Sequence, residues 1–190
     1  MDAFFLPMNY TFQTEVDQVR KHCGYFSLED WCVISAKGKE TFSFLQSQTT
    51  NDVLQMQSGQ GQNSAVTDRQ ARLIANFSIH RVGEDEALIL VETSLKEILL
   101  NHLESYHFRE EVEFTTITCR LLALQGPKSS LILEKIFENQ NLPDKPNDTT
   151  QLTLGEHPIN LIIKSMTGEE GQILCFPKEL EDELTQLILK

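Results

Sequence analysis

The 190-residue sequence lacks any long apolar run. A membrane-spanning helix needs about 20 consecutive apolar residues, whereas the best candidates here, Ala87 to Val91 and Leu161 to Ile163, have the length of strands. The first residues, Met1 to Pro7, carry Asp2 where a secretory signal would be positively charged, and their apolar run is too short. We therefore expect a soluble, cytoplasmic protein.

Positive charge is also scarce. The sequence has 16 Lys and Arg against 28 Asp and Glu, a formal net charge of -12. The average surface would repel a nucleic-acid backbone or an anionic membrane. We therefore expect no direct nucleic-acid binding and no membrane partner.

Metal-ligand and generic catalytic patterns are missing as well. None of the four cysteines forms a C-x-x-C pair or stands near a histidine at zinc-finger spacing, so we interpret them as reduced, mostly structural thiols and predict no metal site. His102 and His107 are five residues apart and do not share a helical face, which favours surface histidines over a metal pair. There is no G-x-S-x-G, Walker, H-E-x-x-H or G-x-G-x-x-G motif.

What the chain does contain is the composition of a globular protein, with 40% hydrophobic and 23% charged residues. Its periodicity predicts alternating helices and strands with hairpins between them, an α+β fold. The tightest hairpin is expected at Gly83 to Glu86. The predicted helices are Thr14 to Cys23 (ended by Gly24), Lys37 to Gln46 (begun by Ser35 or Ala36), Ser94 toward Tyr106 (with an S-x-x-E capping box of Ser94 and Glu97), Lys128 to Phe137 (with Pro127 at its first position) and a last helix begun by Pro177. The predicted strands are Trp31 to Ile34, several within Gln60 to Val91, Phe114 to Thr118, Arg120 to Leu124, Ile159 to Ile163 and Ile173 to Phe176.

One segment, Glu138 to Gln151, is rich in Asn, Pro, Asp and Thr and is predicted to be a loop. It suggests three parts: a first region at 1–138, a linker loop at 139–150, and a strand-turn-strand-helix segment at 151–190 that completes a second lobe.

Four basic residues would form a group if their predicted strand and helix were neighbours. Such a group could bind a carboxylate tail such as the glutamate of a folate, since guanidinium groups bind carboxylates bidentately. The alternative is scattered surface charge. The four are Lys37, Lys39, Arg69 and Arg72.

Several blocks of the sequence resemble the glycine-cleavage T-protein (aminomethyltransferase) superfamily. They come in the family's order and spread across nearly the whole chain. The blocks are Gly24 to Leu28, Val33 to Gln46 and Asn51 to Val53, then Leu122 to Pro127 (the family's A-x-Q-G-P turn), then Thr167 to Gly171 followed by Pro177 (its T-G-E-x-G…P segment).

Within the superfamily, the sequence is most similar to YgfZ-type folate-binding proteins, which assist iron–sulfur cluster assembly or repair and were first described through tRNA modification. The supporting stretches are Leu28 to Trp31, Gln46 to Val53, and the Asp68 to Arg72 turn, which resembles that group's D-x-K-G-K/R. That group's K-G-C-[FY]-x-G-Q-E segment would lie beyond Lys190. We therefore expect either the N-terminal portion of a longer protein or a short relative, without the C-terminal barrel.

The resemblance implies antiparallel sheets with flanking helices in two interlocked lobes. It implies a tetrahydrofolate-binding accessory protein, with iron–sulfur client or assembly proteins as partners in iron–sulfur protein maturation or tRNA modification. Asn76 stands where an aminomethyltransferase has its catalytic aspartate, and an amide cannot replace that carboxylate. The alternatives are a folate-dependent aminomethyltransferase that uses another acid such as Asp68, and an interaction module that binds no ligand.

By the same resemblance, Glu169 holds the pterin ring, because one carboxylate can accept its adjacent N–H donors together. The alternative is a turn residue in T-G-E-E-G. Asn76, Glu92 and Arg72 are further candidate folate-binding residues. Asn76 and Glu92 could equally be ordinary polar residues at strand ends.

Overall fold

Ten strands form two five-stranded sheets in the computed structural model, which describes residues 12–190. The described helices are α1 Phe12–Lys21, α2 Thr41–Gln48, α3 Thr93–Ser105, α4 Ser129–Ile136 and α5 Glu181–Ile188, with a 3₁₀ turn at Lys178–Leu180. The strands are β1 Gly24–Ser27, β2 Trp31–Lys37, β3 Gly61–Thr67, β4 Leu73–Arg81, β5 Glu86–Glu92, β6 Glu113–Ile117, β7 Arg120–Gln125, β8 Thr149–Leu154, β9 His157–Ile163 and β10 Gly171–Phe176.

The first compact unit contains residues 12–28, 119–146 and 150–190 of the described chain. Its sheet has the strand order β1-β7-β10-β9-β8, with β7 antiparallel to both β1 and β10. Every residue of β10 is buried, as expected for a central strand covered on both faces. The buried apolar core of this unit comprises Leu122, Leu124, Leu133, Phe137, Leu152, Ile159, Leu161, Leu174, Phe176, Leu180, Leu184 and Ile188.

The second compact unit contains residues 29–118 and 147–149. Its sheet has the order β3-β4-β5-β2-β6, and all four pairings are antiparallel. Alternate residues of β4 and β5 face the apolar core, where Leu99 and Leu103 of α3 also lie. The other core residues include Ile34, Phe42, Phe44, Leu45, Val66, Ala75, Phe77, Ile79, Ile89 and Val91.

The α+β fold with antiparallel sheets and flanking helices is therefore confirmed. The hairpin expected at Gly83 to Glu86 joins β4 to β5. The division at 138 and 150 stays a prediction. The expectation for Met1 to Pro7 lies outside the described residues. Within residues 12–190, no helix is long and apolar enough to cross a membrane.

The helix predicted from Lys37 starts later than expected. Residues 35–37 belong to β2, which pairs on one side with β5 and on the other with β6. Pairing with two neighbouring strands outweighs the helix propensity of Ala36 and Lys37, because tertiary contacts override intrinsic propensity. The chain turns at Gly38, whose positive φ of 148° suits glycine, and α2 begins at Thr41.

The capping box predicted for α3 is wrong. The helix begins at Thr93 with Glu92 as its N-cap residue, and no side chain caps it. The Thr93 N–H donates instead to the Asp30 carbonyl at 2.7 Å, and Glu97 pairs with Lys96 at 3.0 Å. A backbone contact from a distant segment therefore replaces the expected local cap.

Other differences also arise from contacts distant in sequence. Gly24 begins β1, which pairs with β7, whereas the sequence predicted a helix end there. Pro127 precedes α4 by two residues, because the Lys128 N–H donates to the His22 carbonyl at 3.0 Å. Strand β8 begins inside the predicted loop and lies beside β9.

Candidate functional site

A row of four residues crosses the second unit's sheet on the face opposite its apolar core. Trp31 of β2 pairs with Glu92 of β5, and Ala65 of β3 pairs with Asn76 of β4. The β4–β5 register, which pairs Ser78 with Leu90, places Asn76 opposite Glu92 when it is continued by two residues. The indole, the carboxylate and the amide therefore lie on neighbouring strands of one face.

The row marks the point where this face becomes accessible to solvent. Ser78 and Leu90, two residues further along the same face, are buried. Asn76 and Glu92 are exposed, and Trp31 is half-buried. The polar pair therefore borders a buried part of the sheet, a position open to a ligand.

The Asn76 amide and the Glu92 carboxylate have unused hydrogen-bonding capacity. Among residues 12–190, neither side chain has a hydrogen bond or an ion pair. Glu92 is the N-cap residue of α3, but its side chain makes no capping hydrogen bond. A carboxylate accepts two donors, and an amide both donates and accepts. Together with the indole of Trp31, they offer a combination that suits a planar heterocycle with adjacent N–H groups.

The turn between β3 and β4 contains Asp68 and Arg72, which contact each other. Asp68 Oδ1 accepts the backbone N–H groups of Gln70 at 2.9 Å and Arg72 at 3.0 Å, and Oδ2 accepts Arg72 Nε at 2.6 Å. These bonds, chiefly that from the Arg72 backbone, lower the pKa of Asp68. A carboxylate that is already satisfied and less basic than usual is poorly suited to general base catalysis.

Glu169 lies in the first unit, in the turn between β9 and β10. It is half-buried, and its backbone N–H donates to Thr167 Oγ1 at 3.4 Å. No hydrogen bond or ion pair involves its carboxylate within the described chain. The group is therefore available to a ligand, although the turn alone also explains its presence.

The buried amide of Gln125 holds the segment that leads into this turn. Its Nε2 donates to the Lys164 carbonyl at 3.1 Å, and its Oε1 accepts the Met166 N–H at 2.7 Å. The Gly126 N–H donates to the Glu170 carbonyl at 2.7 Å. A Cβ on Gly171 would overlap the Gln125 side chain. The A-x-Q-G-P and T-G-E-x-G blocks are thus neighbours in the fold.

The candidate residues therefore fall into three groups. Asn76 and Glu92 share one face, Asp68 and Arg72 share one turn, and Glu169 belongs to the other compact unit. Their assignment to a ligand stays a prediction.

Two residues, Trp31 beside Glu92 and Gln125 beside the T-G-E-E-G turn, were not predicted from the sequence as site residues. Trp31 was named as a strand residue and as part of a stretch that supports the resemblance; its signal as a site residue is that it is the single tryptophan and stands at a strand end. Gln125 appeared only as a motif letter. A polar residue at the end of an apolar strand was the available signal.

Three members of the basic group have acidic partners. Lys37 pairs with Glu86 at 3.0 Å, Lys39 pairs with Glu111 at 3.2 Å, and Arg72 pairs with Asp68. These contacts favour the interpretation as surface charge.

The two histidines occupy different surroundings. The His102 ring lies 5.1 Å from that of Tyr106, and the His107 ring lies 5.7 Å from that of Phe44. Within the described part of the chain, no three His, Cys, Asp or Glu side chains are grouped so that they could hold a metal ion.

Comparison with known proteins gives the family. An aminomethyltransferase of Thermus thermophilus is 29% identical over 98% of this chain and 54% of its own length, and one of Chlorobaculum tepidum is 29% identical over 93% and 50%. The crystal structure of glycine cleavage system aminomethyltransferase T from Bartonella henselae superposes with a TM-score of 0.84 at 20% identity, covering 93% of this chain and 48% of that one.

The chain thus spans about half the length of the curated relatives it matches. The GCVT N-terminal domain family matches residues 2–190. The chain belongs to this family and so to the glycine-cleavage T-protein (aminomethyltransferase) superfamily.

Proposed function

We propose that this chain is a tetrahydrofolate-binding domain that does not itself transfer an aminomethyl group. The observation that carries the proposal is that the Asn76 amide and the Glu92 carboxylate lie with Trp31 on one sheet face and have no hydrogen-bond partner among residues 12–190. Their donor and acceptor set fits a reduced pterin, which presents adjacent N–H groups and a planar ring. The bound folate would supply the nitrogen that carries a one-carbon unit.

The absence of transfer activity is proposed from position 76. The resemblance places the family's catalytic aspartate there, and this chain has an exposed asparagine. An amide does not become negatively charged near neutral pH, so it cannot stabilise a developing positive charge as a carboxylate does. Asn76 can still orient a ligand through its two N–H groups and its oxygen.

An accessory role of the YgfZ type follows from the same proposal. In this role the partners are iron–sulfur client or assembly proteins, and the process is iron–sulfur protein maturation or tRNA modification. The proposed location is the cytoplasm. The support is the similarity of residues 28–31, 46–53 and 68–72 to the YgfZ-type proteins.

A folate-dependent aminomethyltransferase is the second candidate, because relatives that share 29% identity with this chain have that activity in their names. It would need another acid, and Asp68 was the sequence candidate. The contacts of Asp68 with its own turn weigh against it.

Calorimetric titration of the 190-residue chain with 5-formyltetrahydrofolate tests ligand binding. We expect Glu92→Gln and Asn76→Ala each to weaken binding by about tenfold, which is ~1.4 kcal/mol. Glu113→Gln, at an exposed position at the start of β6, is the matched control and should leave the affinity unchanged. Because Trp31 is the only tryptophan, its fluorescence should change during the same titration.

The Glu169→Ala variant separates the two interpretations of the T-G-E-E-G turn. An affinity loss of about tenfold supports a pterin contact, and an unchanged affinity makes Glu169 a turn residue. No binding by the folded wild-type chain would contradict the proposal and favour an interaction module.

Transfer activity is tested by methylene transfer to tetrahydrofolate. We expect none from the wild-type chain and none from Asp68→Asn. Turnover by wild type that Asp68→Asn abolishes would instead support the aminomethyltransferase candidate.

A further inference from the structure

Two of the four cysteines lie on one face of the first unit's sheet. Cys175 of β10 pairs with Leu121 of β7. Cys119 precedes Leu121 by two residues, so it lies on the same face, diagonal to Cys175. Both cysteines belong to the same compact unit.

The strand register makes the two thiols neighbours. Each thiol changes the pKa of the other through a hydrogen bond between the side chains. The β7–β10 ladder ends at the Arg120–Phe176 pair, so Cys119 lies just outside it and its backbone is not held by the hydrogen bonds of this ladder. This freedom matters because a disulfide requires an S–S separation of about 2.05 Å and a specific dihedral angle.

The pair is asymmetric in exposure and in acidity. Cys119 is half-buried, whereas Cys175 is 3% exposed. The thiol of Cys175 donates to Cys119 and lowers the pKa of Cys119. The same hydrogen bond, together with burial, raises the pKa of Cys175. Since the thiolate is the reactive form, Cys119 is the better nucleophile.

We propose that Cys119 and Cys175 form a thiol–disulfide exchange site that reacts with low-molecular-weight disulfides such as oxidised glutathione. The site does not depend on the proposed folate function.

The first step is attack by the Cys119 thiolate on one glutathione sulfur. A Cys119–glutathione bond forms, the S–S bond of oxidised glutathione breaks, and one glutathione thiolate leaves and takes up a proton. Cys175 then loses its proton and attacks the Cys119 sulfur. The Cys119–Cys175 bond forms and a second glutathione leaves as a thiol. Two protein thiols are oxidised by two electrons, and one disulfide is reduced to two thiols.

The other two cysteines provide internal comparisons. Burial raises the pKa of Cys23 to about 11, and its thiol donates to the Gly24 carbonyl at 3.4 Å. Cys32 lies in the second compact unit. We therefore expect neither to react at a comparable rate.

The test is treatment of the reduced, folded 190-residue chain with oxidised glutathione, followed by intact mass measurement and non-reducing peptide mapping. We expect one intramolecular disulfide, between the peptides that contain Cys119 and Cys175, and its loss on treatment with dithiothreitol. A bond between other cysteines, or four thiols still reduced, would overturn the proposal.

Two variants test the order of attack. Cys175→Ala should accumulate one glutathione on Cys119, because the resolving thiol is missing, whereas Cys119→Ser should acquire neither glutathione nor a disulfide. Glutathione on Cys175 of the Cys119→Ser chain at the wild-type rate would overturn the assigned order. Cys175 is buried, so its replacement can prevent folding. In that case the peptide mapping of the wild-type chain still tests whether the Cys119–Cys175 disulfide forms.

Discussion

Two turns, one in each compact unit, are held in place by different kinds of hydrogen bond. The segment around residues 164–171 in the first unit is held by a buried amide, that of Gln125, through hydrogen bonds to backbone groups. The turn at residues 68–72 in the second unit is held by the half-buried Asp68 and the exposed Arg72. The hydrogen bonds of Gln125 are shielded from water, whereas water can replace the hydrogen bond between Asp68 and Arg72.

The difference lies in what happens to each turn when its hydrogen-bond partner is removed. A buried polar group must keep its partner because water cannot replace it. An exposed one can lose its partner at little cost. Gln125 is therefore explained by the fold alone, whereas the free carboxylates of Glu92 and Glu169 have no structural partner among residues 12–190.

The largest effect should come from Gly126→Ala, at the turn between β7 and α4, where the Gly126 N–H donates to the Glu170 carbonyl of the 164–171 segment. Gly126 has φ of +127°, and a Cβ there would lie 2.6 Å from the His22 carbonyl oxygen and against that of Val19. We expect a loss of about 3 to 5 kcal/mol in the free energy of unfolding, measured by urea titration.

Gly155→Ala is its control. Gly155 also has a positive φ, of 60°, but no atom lies within 4 Å of an added Cβ. The expected loss is about 1 to 2 kcal/mol, from the conformation alone. Equal losses in the two variants would mean that the close carbonyls around Gly126 contribute nothing.

Gln125→Ala should have the next largest effect. It leaves the Lys164 carbonyl and the Met166 N–H without their partner in a buried place, and we expect a loss of about 2 to 4 kcal/mol by urea unfolding. Gln125→Glu keeps the shape and the acceptor but removes the donor, so its loss should come from the Lys164 carbonyl and the buried charge.

The chain offers a matched control for burial. Gln140 makes the same two bonds to the backbone of Thr153, each at 2.8 Å, but these bonds are exposed. We expect Gln140→Ala to cost less than about 1 kcal/mol, because water replaces the amide. A loss as large as that of Gln125→Ala would remove burial as the explanation.

The smallest effect should come from Asp68→Asn, and it should depend on pH. The pKa of Asp68 is lowered in the folded state, so its contribution to stability is present above the unfolded-state pKa of about 3.9. It is lost as the pH falls through the folded-state pKa. Urea unfolding of both chains at pH 7 and at stepwise lower pH should therefore show a small difference that shrinks as the pH falls through the folded-state pKa. A difference that grows in acid would have the wrong sign.

Much of the second unit could be predicted from alternation along the sequence. The hairpin at Gly83 to Glu86 and the strands on both sides of it depend on local turn residues and on period-two burial. The resemblance to the superfamily was also readable, because its blocks lie in order along the chain.

The errors have a common cause. Strand β1 is four residues long, and β8 lies in a polar segment, so neither has a local signal that could identify it. Both exist because a neighbouring strand supplies hydrogen bonds. The same holds for α3, whose first turn is fixed by the distant Asp30 carbonyl rather than by Ser94.

The sequence by itself determined the fold class and the family. The tertiary structure alone decided which side chains are neighbours across strands: Asn76 with Glu92, Glu92 with Trp31, and Cys119 with Cys175. The physical reason is that local preferences act over a few residues, whereas strand register brings together side chains that are 16 to 61 residues apart in these sheets.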